Sequence, residues 1–242
     1  MEGLDPYAAT AGAYDLYNAP WRPAQLAALK RPRPLLRPEV GSILDVGTGS
    51  GLNLEWVLTN LPDAEVLASE PSQAMRSLAL SRVAGHPEWF ARVTLREEGF
   101  FATTLPTRIG GAILLGVIGH FDPGERAAVL AELAARLPLG GAALIDLQPP
   151  GRPQQVSATA ATVATIGETT YRTIVEASPA DAERMRWRMT YLSLEGDRIL
   201  TEETVEHSYR HAAPETIAAE ARDVGLNLEQ LDDTAYWLLT RA

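Results

Sequence analysis

The chain contains no cysteine, one lysine (Lys30) and only four histidines. Without thiols, disulfides, iron–sulfur clusters and thiolate zinc sites are excluded, and the scattered histidines do not approach a metal-ligand spacing. A lone lysine in the Pro/Arg-rich stretch Lys30-Arg31-Pro32-Arg33-Pro34 is a poor context for Schiff-base chemistry. Long hydrophobic runs are also missing. The longest, Gly110 to Gly119, is about half of what a membrane-spanning helix needs. The start, Met1-Glu2-Gly3-Leu4-Asp5, carries acid where a signal peptide carries base, so the cytoplasm is the expected location. Basic charge is in deficit, with 21 Lys and Arg against 31 Asp and Glu and a net charge of -10. Such a surface repels phosphate backbones and no basic stripe offsets it. Nucleic acid is therefore excluded as a partner, and a neutral, cationic or small substrate is expected.

What is present is a chain of 242 residues with 46% hydrophobic side chains, enough for one large domain or a core with a subdomain. Tyr7 to Tyr17 is Ala-rich and helical in pattern, Pro23 fits the first turn of a short helix, and the Lys/Arg/Pro cluster breaks it. From Ser42 a regular alternation begins. Strands are expected at Ile43–Val46, Glu65–Ser69, Arg92–Leu95, Gly111–Leu115 and Ala142–Ile145. Helices are expected at Leu52–Leu61, at Gln73–Arg82 after Ser72, and from Asp122 to Pro138, where Asp122, Pro123 and Glu125 form a capping-box signature. Strands alternating with helices, apolar on both faces, predict a parallel sheet between helical layers. Beyond Pro149-Pro150 the alternation stops. An Ala/Thr/Val segment, Val156 to Gly167, leads into three long strands at Thr170–Ala177, Arg184–Leu194 and Ile199–Arg210. A helix from Pro214 to Val224, ended by Gly225, and a closing hairpin through Leu226–Leu228 and Tyr236–Leu239 complete the chain.

The most informative stretch is Leu44-Asp45-Val46-Gly47-Thr48-Gly49-Ser50-Gly51. A glycine-rich turn between the first strand and first helix lets backbone N–H groups approach a ligand at the carboxyl edge of a parallel sheet. A dinucleotide fingerprint would want a small residue at 52, which is Leu, and a phosphate-binding Walker loop would want a Lys that is missing. At the end of the second expected strand stands Ala68-Ser69-Glu70-Pro71-Ser72, whose carboxylate suits a cis-diol because it accepts two hydrogen bonds at once.

Asp45-Val46-Gly47-Thr48-Gly49-Ser50-Gly51, an acid followed by G-x-G-x-G, together with Glu70, resembles the class I S-adenosylmethionine (SAM)-dependent methyltransferases. The layout after the fifth strand is similar to sugar and amine N-methyltransferases of natural-product biosynthesis. The resemblance implies a Rossmann-like α/β fold with a mostly parallel seven-stranded sheet. It divides the chain into an N-terminal helical cap (1–40), a SAM-binding core (41–147), an antiparallel β insertion that covers the substrate site or forms a homodimer contact (148–211), and a terminal helix and hairpin (212–242). It also implies cofactor contacts at Tyr14, Asp45, Gly47, Gly49, Gly51, Glu70, Pro71, Gly99, Phe100 and Gly116, with Glu70 on the ribose hydroxyls and Tyr14, in Ala13-Tyr14-Asp15, over the methionine end. Two positions depart from the family. Gly99 stands where many relatives carry an adenine-binding acid, leaving backbone groups and Phe100 for that task, and no acid precedes the fourth strand at Ile109-Gly110-Gly111-Ala112.

Methyl transfer from a sulfonium is an in-line displacement, for which the protein aligns a nucleophile and excludes water. A proton must leave if that nucleophile is a hydroxyl or an ammonium, and neutral imidazole is the usual acceptor. His120, just after the fourth strand, is the candidate base; its structural alternative is a histidine bonded to the Asp122 loop. His207 and His211 are second choices, with surface pairing or a dimer contact as their expected role. In Arg184-Met185-Arg186-Trp187-Arg188-Met189 a period of two puts three arginines on one face. They either bind an anionic substrate or oppose Glu202 and Glu206 on the next strand. Trp187, Met189 and Tyr191, with Val156 to Ile166, suggest a hydrophobic acceptor. The reading is thus a methyltransferase for a small, hydrophobic metabolite. The alternatives are an enzyme of this fold that uses bound SAM for cyclisation, hydroxylation or decarboxylation, and a SAM-binding protein without turnover.

Overall fold

A computed structural model describes residues 5–242. The acidic start Met1 to Leu4, on which the expectation of no leader rested, lies outside the described residues. Two sheets organise the chain. The larger has seven strands: β1 (Ile43–Val46), β2 (Val66–Ser69), β3 (Val93–Arg96), β4 (Gly111–Leu114), β5 (Ala142–Asp146), β10 (Leu226–Gln230) and β11 (Tyr236–Arg241). Their order is β10-β11-β5-β4-β1-β2-β3. The neighbours from β5 to β3 pair in parallel, while β11 runs antiparallel to both β5 and β10. The smaller sheet has four antiparallel strands in sequence order, β6 (Val156–Ile166), β7 (Thr169–Pro179), β8 (Arg184–Glu195) and β9 (Arg198–Arg210).

The helices are α1 (Tyr14–Asn18), α2 (Arg22–Lys30), α3 (Leu52–Asn60), α4 (Gln73–Ala84), α5 (Pro123–Arg136) and α6 (Pro214–Asp223). β1 and β4 are buried at every residue, which follows from helices covering both faces of the sheet. Successive side chains of β1 enter opposite layers. Leu44 and Val46 join Leu130, Leu133 and Ile217 from α5 and α6, and Ile43 joins Leu54, Val57 and Leu29 from α3 and α2. Helix starts follow the sequence signals closely. Ser72 accepts from the N–H of Met75, and Asp122 and Glu125 exchange side-chain and backbone bonds at the head of α5. No helix among the described residues is long and apolar enough to cross a membrane.

Two expectations need correction. The Ala/Thr/Val segment read as leading into three strands is itself the strand β6, so the antiparallel sheet has four strands rather than three. Its small and β-branched side chains are mostly exposed and show no buried alternation; pairing with β7 is what fixes it as a strand. The expected opposition of the arginine row to Glu202 and Glu206 holds in register for Glu206 alone, and no ion pair forms there. Arg188 lies opposite Glu206 in register, but its ion pair is with Glu176 of β7 at 3.4 Å, and Arg184 pairs with Asp181 across its own turn at 2.5 Å. Glu202 faces Leu192. Met185, on the opposite face of β8, is fully buried.

One ion-pair cluster joins the two sheets. Arg126 on α5 is 1% exposed and holds Glu220 of α6 through two bonds of 2.7 and 2.8 Å, with Glu183, just before β8, at 3.5 Å. A planar guanidinium suits this position because it serves two carboxylates in fixed directions.

Candidate active site

The turn after β1 bends through three left-handed glycines, with φ of 62° at Gly47, 59° at Gly49 and 87° at Gly51. At Gly47 the constraint is double, since a Cβ there would also meet Val117 Cγ2 at 2.8 Å. Bare backbone is thereby presented at the carboxyl edge of the sheet. Glu70, at the end of β2, is 6% exposed and ties into this turn. One carboxylate oxygen accepts the N–H of Gly49 and the other that of Ser72, both at 2.8 Å. Burial pushes its pKa up, and these two bonds partly offset the cost. A carboxylate offers about four acceptor positions, so each oxygen retains room for a ligand hydroxyl. Pro71 follows, its carbonyl accepting from Arg76 at 3.2 Å.

Asp45 lies beneath the turn, 1% exposed. It accepts from the Thr48 hydroxyl and the N–H of Leu54 at the head of α3, yet burial still lifts its pKa to about 7. On the far side, Gly116 takes a φ of 73° and donates its N–H to Asp146 at 2.7 Å. Gly99 has open space beside it. Phe100 is buried in the core, edge-on to Phe121, whereas its neighbour Phe101 is 52% exposed.

The N-terminal segment roofs this edge and is anchored at two carboxylates. Asp5 accepts from the N–H of Ala74 at 3.0 Å and the Ser72 hydroxyl at 2.9 Å, at the head of α4. Asp15 accepts from the Ser50 hydroxyl within the glycine turn and pairs with Arg82 at 2.5 Å. Between the anchors stand Tyr7 and Tyr14, with ring centroids 6.3 Å apart. Burial pushes both phenols above their usual pKa, and the Glu70 charge adds to the rise in each.

Across from the roof, the inner face of the smaller sheet brings up more aromatic side chains. Tyr17 packs on Tyr191 at 4.4 Å and edge-on to Tyr171 at 6.4 Å. His207 stacks against Tyr7 at 5.4 Å and Tyr209 at 5.6 Å. His120 stands in this cleft, its Nε2 3.5 Å from the Tyr7 hydroxyl and its ring edge-on to Tyr209 at 4.9 Å. It keeps access to solvent, but the crowding rings desolvate it and hold its pKa below the ordinary histidine value, with His207 lowering it further. Asp122 is occupied as the cap of α5 rather than as its partner.

The other two candidate histidines are placed in different surroundings. His207 belongs to the aromatic cleft. His211 is 5% exposed and committed at both nitrogens: Nε2 accepts the Trp187 indole N–H at 2.9 Å, and Nδ1 donates toward the carbonyls of Gln148 and Pro150 at 3.1 and 3.0 Å. The sequence reading missed Tyr7, Tyr17, Tyr171 and Tyr209 as cleft residues. Two signals for them were present, the Tyr7/Tyr14/Tyr17 spacing along one short helical stretch and the period of two linking His207 to Tyr209.

Residues 43–141 match a family described as a methyltransferase domain. No curated protein sequence matches the chain. Among solved structures, SAM-bound CalS10, an amino pentose methyltransferase from Micromonospora echinaspora, is 21% identical, with a TM-score of 0.73 over 94% of this chain and 97% of that one. DesVI from Streptomyces venezuelae is 19% identical, with a TM-score of 0.76 over 96% and 98%. The sugar N-methyltransferase KedS8 from Streptoalloteichus sp ATCC 53650 is 21% identical, with a TM-score of 0.66 over 93% and 87%. Residues 43–141 are thus similar to a methyltransferase domain, and the fold is that of the class I SAM-dependent methyltransferases.

Proposed function

We propose that the protein transfers the methyl group of S-adenosylmethionine to a nucleophile on a small metabolite, an amine on a sugar-like ring being the favoured acceptor. The observation that carries this reading is the meeting of two surfaces at one sheet edge. A glycine turn bonded to the buried carboxylate of Glu70 faces a cleft of tyrosines and of histidines whose pKa burial lowers. The fit to the cofactor rests on this chain's own groups. The turn from Gly47 to Gly51 leaves backbone open to an adenosyl group, and Glu70 keeps acceptor positions for a cis-diol. Bound there, the sulfonium would supply an electrophilic methyl. His120, neutral because its pKa is depressed, takes the proton that the acceptor nitrogen or oxygen gives up. Tyr7 and Tyr14, kept protonated by burial, close the cleft against water. The similarity to structures described as amino pentose and sugar N-methyltransferases supports an amine acceptor.

The test is incubation of the purified protein with methyl-labelled SAM and a panel of amino sugars and other small amines. Label recovered in an acceptor, with stoichiometric S-adenosylhomocysteine, is the expected result. Tight SAM binding with no labelled product from any nucleophile would refute it.

A further inference from the structure

A cavity of about 330 Å³ opens over the carboxyl ends of β4 and β5, beside the aromatic cleft but separate from the Gly47–Gly51 turn. Its wall includes Gly116, Asp146, Gln148, Tyr209, Arg210 and Trp237. The volume is at the small end of small-molecule pockets, room for one ring-sized group. Tyr209 is shared between the two spaces: it lines the cavity and packs edge-on against His120. Gly119, the residue before His120, also lines it. A molecule with one part here would reach the His120 cleft with another.

The polar groups of the wall are of mixed sign. The Arg126 guanidinium is already held by Glu220 and Glu183, and His211 is committed to Trp187 and to the Gln148 and Pro150 carbonyls. Arg210 and Asp233 contribute one charge of each sign. Asp146 is the group the proposed chemistry leaves unused. One of its oxygens accepts the Gly116 N–H at 2.7 Å, Gln148 bonds to its side chain, and burial lifts its pKa to about 6. A half-buried carboxylate bonded to an amide, in a wall that also holds a guanidinium and the rings of Trp237 and Tyr209, offers acceptors and donors together with apolar ring surface. That is the chemistry of a neutral hydroxylated ring, whose edge is polar and whose faces carry C–H groups, rather than of a bare cation or anion.

We infer that Asp146 is a specificity-determining residue that accepts hydrogen bonds from ring hydroxyls of the acceptor in this cavity, with Gln148 as its partner and Trp237 and Tyr209 as the walls. The inference rests on the methyl-transfer reading only in treating that ring as part of the acceptor.

The experiment titrates the full chain with glucosamine and with cyclohexylamine, a ring amine without hydroxyls, following binding by saturation-transfer NMR, both with and without saturating S-adenosylhomocysteine. Asp146→Asn keeps a carbonyl for the Gly116 N–H; Gln148→Ala, at an exposed residue, is the second variant. Glucosamine should bind the parent at least tenfold tighter than cyclohexylamine. It should lose about tenfold in Asp146→Asn and at least threefold in Gln148→Ala, while cyclohexylamine is unaffected by either. Equal affinity for the two amines, or unchanged glucosamine affinity in both variants, overturns the assignment. A parent that binds glucosamine in this pattern but never binds S-adenosylhomocysteine would sink the cofactor reading and leave the cavity assignment standing.

Discussion

Replacing Glu70 by Gln tests the proposed cofactor site at its most constrained point. The carboxylate is 6% exposed and accepts two backbone N–H groups at 2.8 Å, one on each oxygen. An amide of the same shape presents an oxygen to one N–H and an NH2 to the other, so one charge-assisted bond becomes a donor facing a donor. Such bonds contribute about 1.5–3 kcal/mol, and the stranded N–H adds desolvation. Relief from burying a charge returns part of that loss. The net expectation is a folding loss of about 1–2 kcal/mol. The effect on SAM is a separate quantity. A ribose clasp reduced from two strong acceptors to one should weaken affinity by roughly 1–3 kcal/mol, about five- to 150-fold. Calorimetric titration of SAM at a temperature where the variant is fully folded separates the two. SAM affinity within twofold of the parent would refute the ribose assignment whatever happens to stability.

Asp45 yields a pH prediction. Its carboxyl is raised to about 7 in the folded chain from an ordinary value near 3.8. The folded state therefore holds a proton that the unfolded state has lost, and stability falls as pH rises between those two values. At about 1.4 kcal/mol per pH unit the loss is of order 4 kcal/mol. Between pH 5 and pH 8 the ligand-free parent should lose stability relative to Asp45→Asn, the comparison that cancels the opposite contribution of the histidines with lowered pKa; parallel melting profiles for the two proteins would contradict this. His120→Ala should reduce kcat at least tenfold with SAM affinity little changed. In the parent, kcat/KM should decline on the acid side only below the usual histidine range, because the ring's pKa is depressed; an acid limb retained in the variant would assign it to another group. Arg126→Met strands Glu220 and Glu183, both partly solvated, and should cost about 3 kcal/mol in denaturant unfolding. A change below 0.5 kcal/mol would show that the cluster does not hold the layers together.

Much of the core was legible because its signals are local. The capping box at Asp122 and Glu125, the serine cap at Ser72 and the glycine turn after β1 each occupy a few consecutive residues, and the structure uses them as written. Glu70 was legible by its place at the end of a strand. The smaller sheet was harder to read. β6 carries no buried alternation of its own, so only its partner defines it. The arginine row was only partly legible, because period two identifies a face but not which of the two adjoining strands supplies the ion-pair partner. Asp146 and the tyrosine cleft come from segments far apart in the chain, and nothing in any one segment indicates that Tyr7, His120 and Tyr209 meet.

The strip from Asp5 to Tyr17 belongs to both halves of the molecule. Its carboxylates fasten it to Ser72, Ala74, Ser50 and Arg82, while Tyr7 and Tyr17 lean on His207 and Tyr191 opposite. The proposed donor and acceptor compartments therefore share a single ceiling, and on that reading a change made in it to reshape one is felt at once in the other.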